Sequence, residues 1–322
     1  MLPRNKTKIK LFFYKNDYYF FISAIIFKKN RGDSMNCRTD IALERQEMLE
    51  DSAQKGIKVK RWEKEKAQVT EIEILNEYGA NTLQKPIGRY ITVDLPEFSH
   101  ESELLDGRLT ALTESIRNLL PVNTNKILVA GLGNENITPD ALGPLCAKGI
   151  FSTRHIKGEV VKDLGVSNLN SVSSISTGVL GQTGIETAEY IKGIVNLIKP
   201  DAVIIIDALA SRRLSRLGKT VQLTDTGITP GSGVGNFRKT IDKSTLGVPV
   251  ISLGVPTVVD GNTIVKDLTG NNTNNCQIDA TNMMVTPREI DTIITRAARL
   301  LSLSINCALQ PEMKPEIFLA LS

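Results

Sequence analysis

Short, unbroken apolar runs stand out first along this chain. Lys126-Ile-Leu-Val-Ala-Gly131 leads into Leu-Gly-Asn134, and Asp201-Ala-Val-Ile-Ile-Ile-Asp207 repeats the design. Runs of this length without polar interruption predict strands buried on both faces, as in a parallel sheet covered by helices. Gly247-Val-Pro-Val-Ile-Ser-Leu-Gly-Val-Pro256 predicts another. Helical spacing lies between and around them. Leu104, Leu105, Leu109, Leu112, Ile116 and Leu119 make one stripe over residues 101–119. Ile185, Ala188, Ile191, Ile194, Val195 and Ile198 make a second over 185–198, and Ile290, Ile293, Ile294, Ala297, Leu301 and Ile305 a third. That last helix is announced by Thr286-Pro287-Arg288-Glu289, which combines a Thr cap, Pro at the first helical position and a capping-box Glu. Residues 41–51 and 141–151 also read as helical, Gln68 to Leu75 and Arg89 to Asp94 as strands, and Lys55 to Lys66 as a charged stretch. Residues 152–180 and 208–247 are expected to be loop insertions, and 261–284 loop-like. The pattern predicts one α/β domain, a mostly parallel twisted sheet flanked by helices.

Chemistry in such sheets gathers at the carboxyl ends of the strands. The first run delivers Asp140 from the loop that follows it, and the second ends in Asp207. Alone, an acid at a strand end is as often a helix cap as a reacting group. Two at neighbouring strand ends, in a chain whose histidines are only His100 and His155, point elsewhere. Close carboxylates share a proton, so that one acts as base on a water while the other polarises a carbonyl. The same pair suits a divalent metal, and the residues alone leave both open. Gly131-Leu-Gly-Asn-Glu-Asn136 lacks the third glycine of a dinucleotide fingerprint and the GK[ST] of a phosphate loop. Asn134 and the backbone from Gly231 to Gly235, including Gly233, are candidate oxyanion donors and substrate contacts. Arg212, Arg213 and Arg216 either pair with surface acids or recognise an acidic peptide through bidentate contacts.

Composition narrows the rest. The 322 residues are 41% apolar and 23% charged, and the four cysteines are scattered without a CxxC pair, which excludes a disulfide scaffold or zinc ribbon. Net charge is +4, but residues 1–34 hold eight Lys and Arg against two Asp, leaving 31 against 33 in the remainder. A body this near neutral predicts no nucleic-acid partner. Residues 11–27 are apolar except at Lys15, Asn16 and Asp17. They are shorter than the roughly 20 residues of a membrane span, so the extension reads as an upstream stretch with Met35 as the start, and no membrane partner is expected.

Four motifs, GLGN-x-x-x-TPDALGP, IDALASR, GITPGSGVGN and LGVPTVVD, together resemble the germination protease of endospore-forming bacteria, from about Arg38 to the final helix. The resemblance implies an atypical aspartic-type endopeptidase that begins the degradation of small acid-soluble spore proteins during germination, in the cytoplasm of the spore core. It implies a homotetramer, no cofactor and no metal, with Asp140 and Asp207 as the catalytic pair. It also implies a fold resembling the hydrogenase maturation proteases, which use acids at matching strand ends to recognise nickel; their histidine ligand has no evident equivalent here. The family is made as a zymogen cut within a segment like Thr-Glu, Phe or Ile, Ala-Ser-Glu, and Thr39-Asp40-Ile41-Ala42-Leu43-Glu44 is similar to it. The organisation implied is an extension over 1–34, a propeptide over 35–40 and a peptidase domain over 41–322, with self-cleavage between Asp40 and Ile41. The alternatives are a metal-recognising maturation protease and a non-catalytic module that binds acidic peptides through Arg212 and Arg213.

Overall fold

The expected apolar runs pair with one another as the parallel half of a mixed sheet. The computed structural model describes residues 39–47, 55–100, 102–156, 166–234, 238–261, 263–264 and 283–321. The extension 1–34, the propeptide before Thr39 and most of the stretch 261–284 lie outside the described residues. In chain order the elements are α1 (Ala42–Gln46), β1 (Ile57–Lys64), β2 (Ala67–Ile74), α2 (Glu77–Leu83), β3 (Gly88–Asp94), α3 (Gly107–Leu119), β4 (Lys126–Gly131) and α4 (Leu142–Lys148). There follow β5 (Ser171–Ser176), α5 (Thr187–Ile198), β6 (Ala202–Ser211), β7 (Thr220–Thr224), β8 (Val250–Asp260), β9 (Met284–Val285), α6 (Ile290–Leu309) and α7 (Pro315–Leu321). Short helical turns fill several of the connections.

Among the described residues the sheet runs β1-β2-β3-β7-β8-β6-β4-β5, with β9 on β8. Parallel register is confined to β5, β4, β6 and β8; the remaining pairs are antiparallel. The α/β architecture is therefore as expected, in a sheet that is mixed rather than mostly parallel; its parallel pairings centre on the continuous apolar runs of β4, β6 and β8, with the polar β5 at their edge. From β4 the chain steps to β5 on one side and returns to β6 on the other. Right-handed crossovers then place the two connections on opposite faces of the sheet. Period two sorts the side chains accordingly. Ile127, Val129, Ile204 and Ile206 join the core under α3, α4 and α6, while Leu128, Ala130, Val203 and Ile205 pack with Ala188, Ile191 and Val195 of α5.

Three departures from expectation have clear causes. β5 falls inside the expected insertion 152–180; its Ser-Val-Ser-Ser-Ile-Ser sequence is too polar to read as a strand, but it needs only one neighbour, β4. β1 occupies the charged stretch and β7 the insertion 208–247; β1 is an edge strand whose side chains are mostly solvated, so no apolar run marks it. Finally, the Thr286 hydroxyl does not cap the last helix but donates to the Thr257 carbonyl oxygen at 2.9 Å, and the helix begins at Ile290.

Candidate active site

The point where the strand order reverses lies between β4 and β6, and a crevice opens there because neighbouring connections leave in opposite directions. The β4–β6 ladder ends at Gly131 opposite Ile206. The chain then leaves β6, with the Leu132 N–H still donating to the Ile206 carbonyl at 2.8 Å. Asp207 is thus the first residue of β6 beyond its β4 partner. The sequence suggested that the strand ends there; instead β6 runs on to Ser211, supported by β8 across a bulge at Leu209 and Ala210. One edge of residues 207–211 is left open.

Asp140 arrives from a short helical turn, Thr138–Asp140, that precedes α4. Its Oδ2 accepts the Asn134 N–H at 2.7 Å, which holds the carboxylate toward β4. Asp207 is buried, and its Oδ1 accepts the Ala208 N–H at 2.9 Å. Burial raises the Asp207 carboxyl well above the usual range, the charges of Asp140 and then Asp40 push it further, and the Ala208 N–H only partly opposes them. Asp140 is also raised by burial, against the pull of the Asn134 N–H. The charge of Asp140 therefore acts on Asp207, and both carboxyls lie above the usual range, Asp207 the more strongly.

The open edge of β6 is occupied by the chain's own N-terminal segment. The Asp40 N–H donates to the Ala210 carbonyl at 3.0 Å, and the Ala210 N–H donates back to Asp40 Oδ2 at 2.9 Å. Ser232 Oγ donates to Asp40 Oδ1 at 2.8 Å. Ile41 is fully buried in a cluster with Ile72, Ile74, Leu83 and Tyr90. The Ala42 N–H reaches Gln222 Oε1 at 3.2 Å. Glu44, also buried, accepts the N–H groups of Arg212 at 2.7 Å and Arg213 at 3.0 Å, and lies 3.6 Å from Arg216 Nε. Arg216 in turn contacts Glu47 at 2.8 Å and Asp94 at 2.9 Å.

These contacts change the roles expected of several residues. Asn134 positions Asp140 through its backbone N–H, and its side-chain oxygen accepts from Gln182 at 2.7 Å. Gly231 turns the loop at φ +74°, and Gly233 admits Asp40: a Cβ there would stand 2.2 Å from Asp40 Oδ2. Arg212 and Arg213 hold the acidic segment by main-chain N–H groups, while the guanidinium facing Glu44 belongs to Arg216. Ser232, Gln222 and Lys85, whose Nζ donates to the Asp40 carbonyl at 2.9 Å, carried no sequence signal. Each becomes significant only because the fold brings it to residues 40–44. Among the described residues no three His, Cys, Asp or Glu side chains converge as metal ligands would, and no helix is long and apolar enough to cross a membrane.

Fold and site together define an α/β protein with a paired-carboxyl crevice at the switch point of its sheet and an acidic segment docked beside it. The chain belongs to the germination protease family, whose model matches residues 36–270. Germination protease of Clostridium perfringens (strain 13 / Type A) is 41% identical over 314 residues, covering 86% of this chain and 96% of that protein. The Caldanaerobacter subterraneus subsp. tengcongensis germination protease is 41% identical over 309 residues, with 86% and 95% covered. A NiFe hydrogenase maturation protease from Thermococcus kodakarensis aligns over 59% of this chain and 98% of its own, at 20% identity and a TM-score of 0.33. Family membership makes the chain a peptidase, a hydrolase with a spore protease role.

Proposed function

We propose that this chain is the zymogen of an aspartic-type endopeptidase that cuts its own Asp40–Ile41 bond. Once processed, it cuts small acid-soluble spore proteins after acidic residues in the germinating spore core. One observation carries the reading: Asp40 pairs with Ala210 on the open edge of β6, just before α1 begins, and is close enough for its charge to act on Asp207. A peptide laid along a strand edge is aligned by main-chain hydrogen bonds, while pockets for its side chains set specificity. The pockets here take an acid at Asp40, an apolar residue at Ile41 and a second acid at Glu44.

The carboxyl pair divides the chemistry. Asp140, held by a backbone N–H, is the base that takes a proton from the attacking water. Asp207, protonated in its buried position, is the acid that delivers a proton to the departing Ile41 nitrogen. Intact mass of the full chain, followed over time at mildly acidic pH with and without chelator, tests the reading. The expected product begins at Ile41 and forms at the same rate in chelator. A processed chain that retains Asp40 would refute self-cleavage at this bond, and a block by chelator would transfer the chemistry to a metal.

Arg216 supplies an independent check. It is buried among Glu44, Glu47 and Asp94, so Arg216→Met takes the guanidinium from all three and leaves Glu47 only Arg213, at 3.1 Å. Removing one partner of a buried ion pair costs roughly 3 kcal/mol or more, and urea unfolding should register that loss together with slower self-cleavage. A variant of unchanged stability that still cuts at the wild-type rate would remove Arg216 from recognition of Glu44.

A further inference from the structure

We propose that the Lys85 ammonium is the electrophile that polarises the carbonyl of the bond to be cut and holds its oxygen as negative charge develops there. The inference rests on Asp40–Ile41 being that bond. Lys85 follows α2, whose end is closed by Gln84 in a left-handed conformation at φ +51° and by the Lys85 N–H donating to the Ala80 carbonyl at 3.2 Å. Pro86 comes next and restricts Lys85 to extended backbone. The stem is therefore anchored at both ends before the side chain reaches across to the N-terminal segment.

The atom it reaches decides the argument. An ammonium serving only to neutralise Asp40 would sit on the carboxylate. Those two oxygens accept from the Ala210 N–H (Oδ2) and from Ser232 Oγ (Oδ1). Lys85 Nζ instead donates to the Asp40 main-chain carbonyl oxygen at 2.9 Å. The glycine-rich loop contributes Ser232 and close approach at Gly233, and the Asn134 N–H goes to Asp140. The Asp40 carbonyl oxygen thus carries a cation, and Asp40 lies near enough to Asp207 for its charge to act on that carboxyl. Burial beside Arg45 pushes the Lys85 ammonium below the ordinary lysine range, with Asp40 opposing, as expected where the cation has traded water for protein contacts.

The step balances without any other reactant. Water oxygen bonds to the Asp40 carbonyl carbon, its proton passes to Asp140, and the π electron pair moves onto the oxygen beside Nζ. Collapse restores the C=O bond and breaks the C–N bond. The Ile41 nitrogen leaves with the Asp207 proton, giving a carboxyl group on Asp40 and a free amine on Ile41. A donor aimed at the developing oxyanion is worth about 10²–10³ in rate.

The test follows the first-order self-cleavage of the full chain by intact mass in wild type, Lys85→Met and Lys85→Arg. Hydrogen exchange at Asp40 and Ala210 runs alongside to report whether the segment stays docked. The expected result is a fall of about a hundredfold in Lys85→Met with protection retained, and recovery to within about tenfold of wild type in Lys85→Arg. If Lys85→Met does not fold, Lys85→Gln carries the same comparison. A rate within threefold of wild type in the neutral variant overturns the role. So does a loss of rate accompanied by loss of protection, which makes Lys85 a strap and not an electrophile. If wild type is cut elsewhere or not at all, the bond assignment and the role of Lys85 fall together, and the wild-type mass alone identifies that case.

Discussion

Asp207→Asn is expected to stop self-cleavage and at the same time to make the folded chain more stable at neutral pH. The first effect follows from losing the acid of the pair, a contribution of about 10²–10⁴ in rate. The second follows from linkage. Burial and the charges of Asp140 and Asp40 raise the folded-state pKa of Asp207 above its ordinary value of 3.8. Between those two values the folded chain holds a proton that the unfolded chain has released, so stability falls as pH rises through the window. Below it both states are protonated and the penalty vanishes. Asparagine never ionises, so the variant should match wild type near pH 3 and exceed it at pH 7 by at least about 2 °C in Tm. Thermal melts at the two pH values, paired with intact mass, read both effects. A variant that cuts at a wild-type rate would remove Asp207 from the chemistry, whereas an inactive variant with a lower Tm at pH 7 would make it structural.

Gly143→Ala should cost a large share of the stability of the fold, because the added methyl closes against the main chain where α4 meets β4 and β6. A Cβ at this position would stand 2.1 Å from the Leu132 carbonyl oxygen, 2.5 Å from the Leu132 nitrogen and 2.6 Å from the Ile206 carbonyl oxygen. All three are main-chain atoms of the two strands that carry the site, so no side chain can swing aside. Relief requires α4 to move off the sheet, which separates Asp140 from Asp207. Overpacking of this kind lies at or beyond the upper end of the usual 1–3 kcal/mol, and urea unfolding should show about 4 kcal/mol lost or no folded protein. The control is Gly193→Ala on α5, where a Cβ meets nothing within 4 Å. It should gain up to about 1 kcal/mol from helix propensity. Equal stability of the two variants would mean that α4 is not seated on the strands as described.

Much of the site is legible in the amino-acid sequence. Val203 to Ile206 and Ile127 to Ala130 are apolar at every position because helices cover both faces of the central strands, and that burial leaves its mark on each residue. Asp140 and Asp207 then stand out as acids at the ends of such runs. The edge elements leave no comparable mark. β1 alternates charged and half-buried residues, and β5 is four serines in six residues, since a strand with one neighbour or one covered face needs little apolar surface. The arginines stand out as a group, yet which one meets Glu44, and that two of them act through main-chain N–H groups, depends on a turn that no side-chain pattern encodes.

By itself the sequence determined the α/β class, the two central strands and the two acids that stand at or just after the ends of their apolar runs. Burial constrains residue type at those positions whatever the rest of the chain does. Only the tertiary structure decided that β6 outruns β4, that its open edge receives Asp40, and that Lys85 reaches the Asp40 carbonyl. Those facts depend on where separate elements end in space. Hydrogen-bonding groups left unpaired at a strand edge accept whatever peptide the fold delivers, and no local pattern records the delivery.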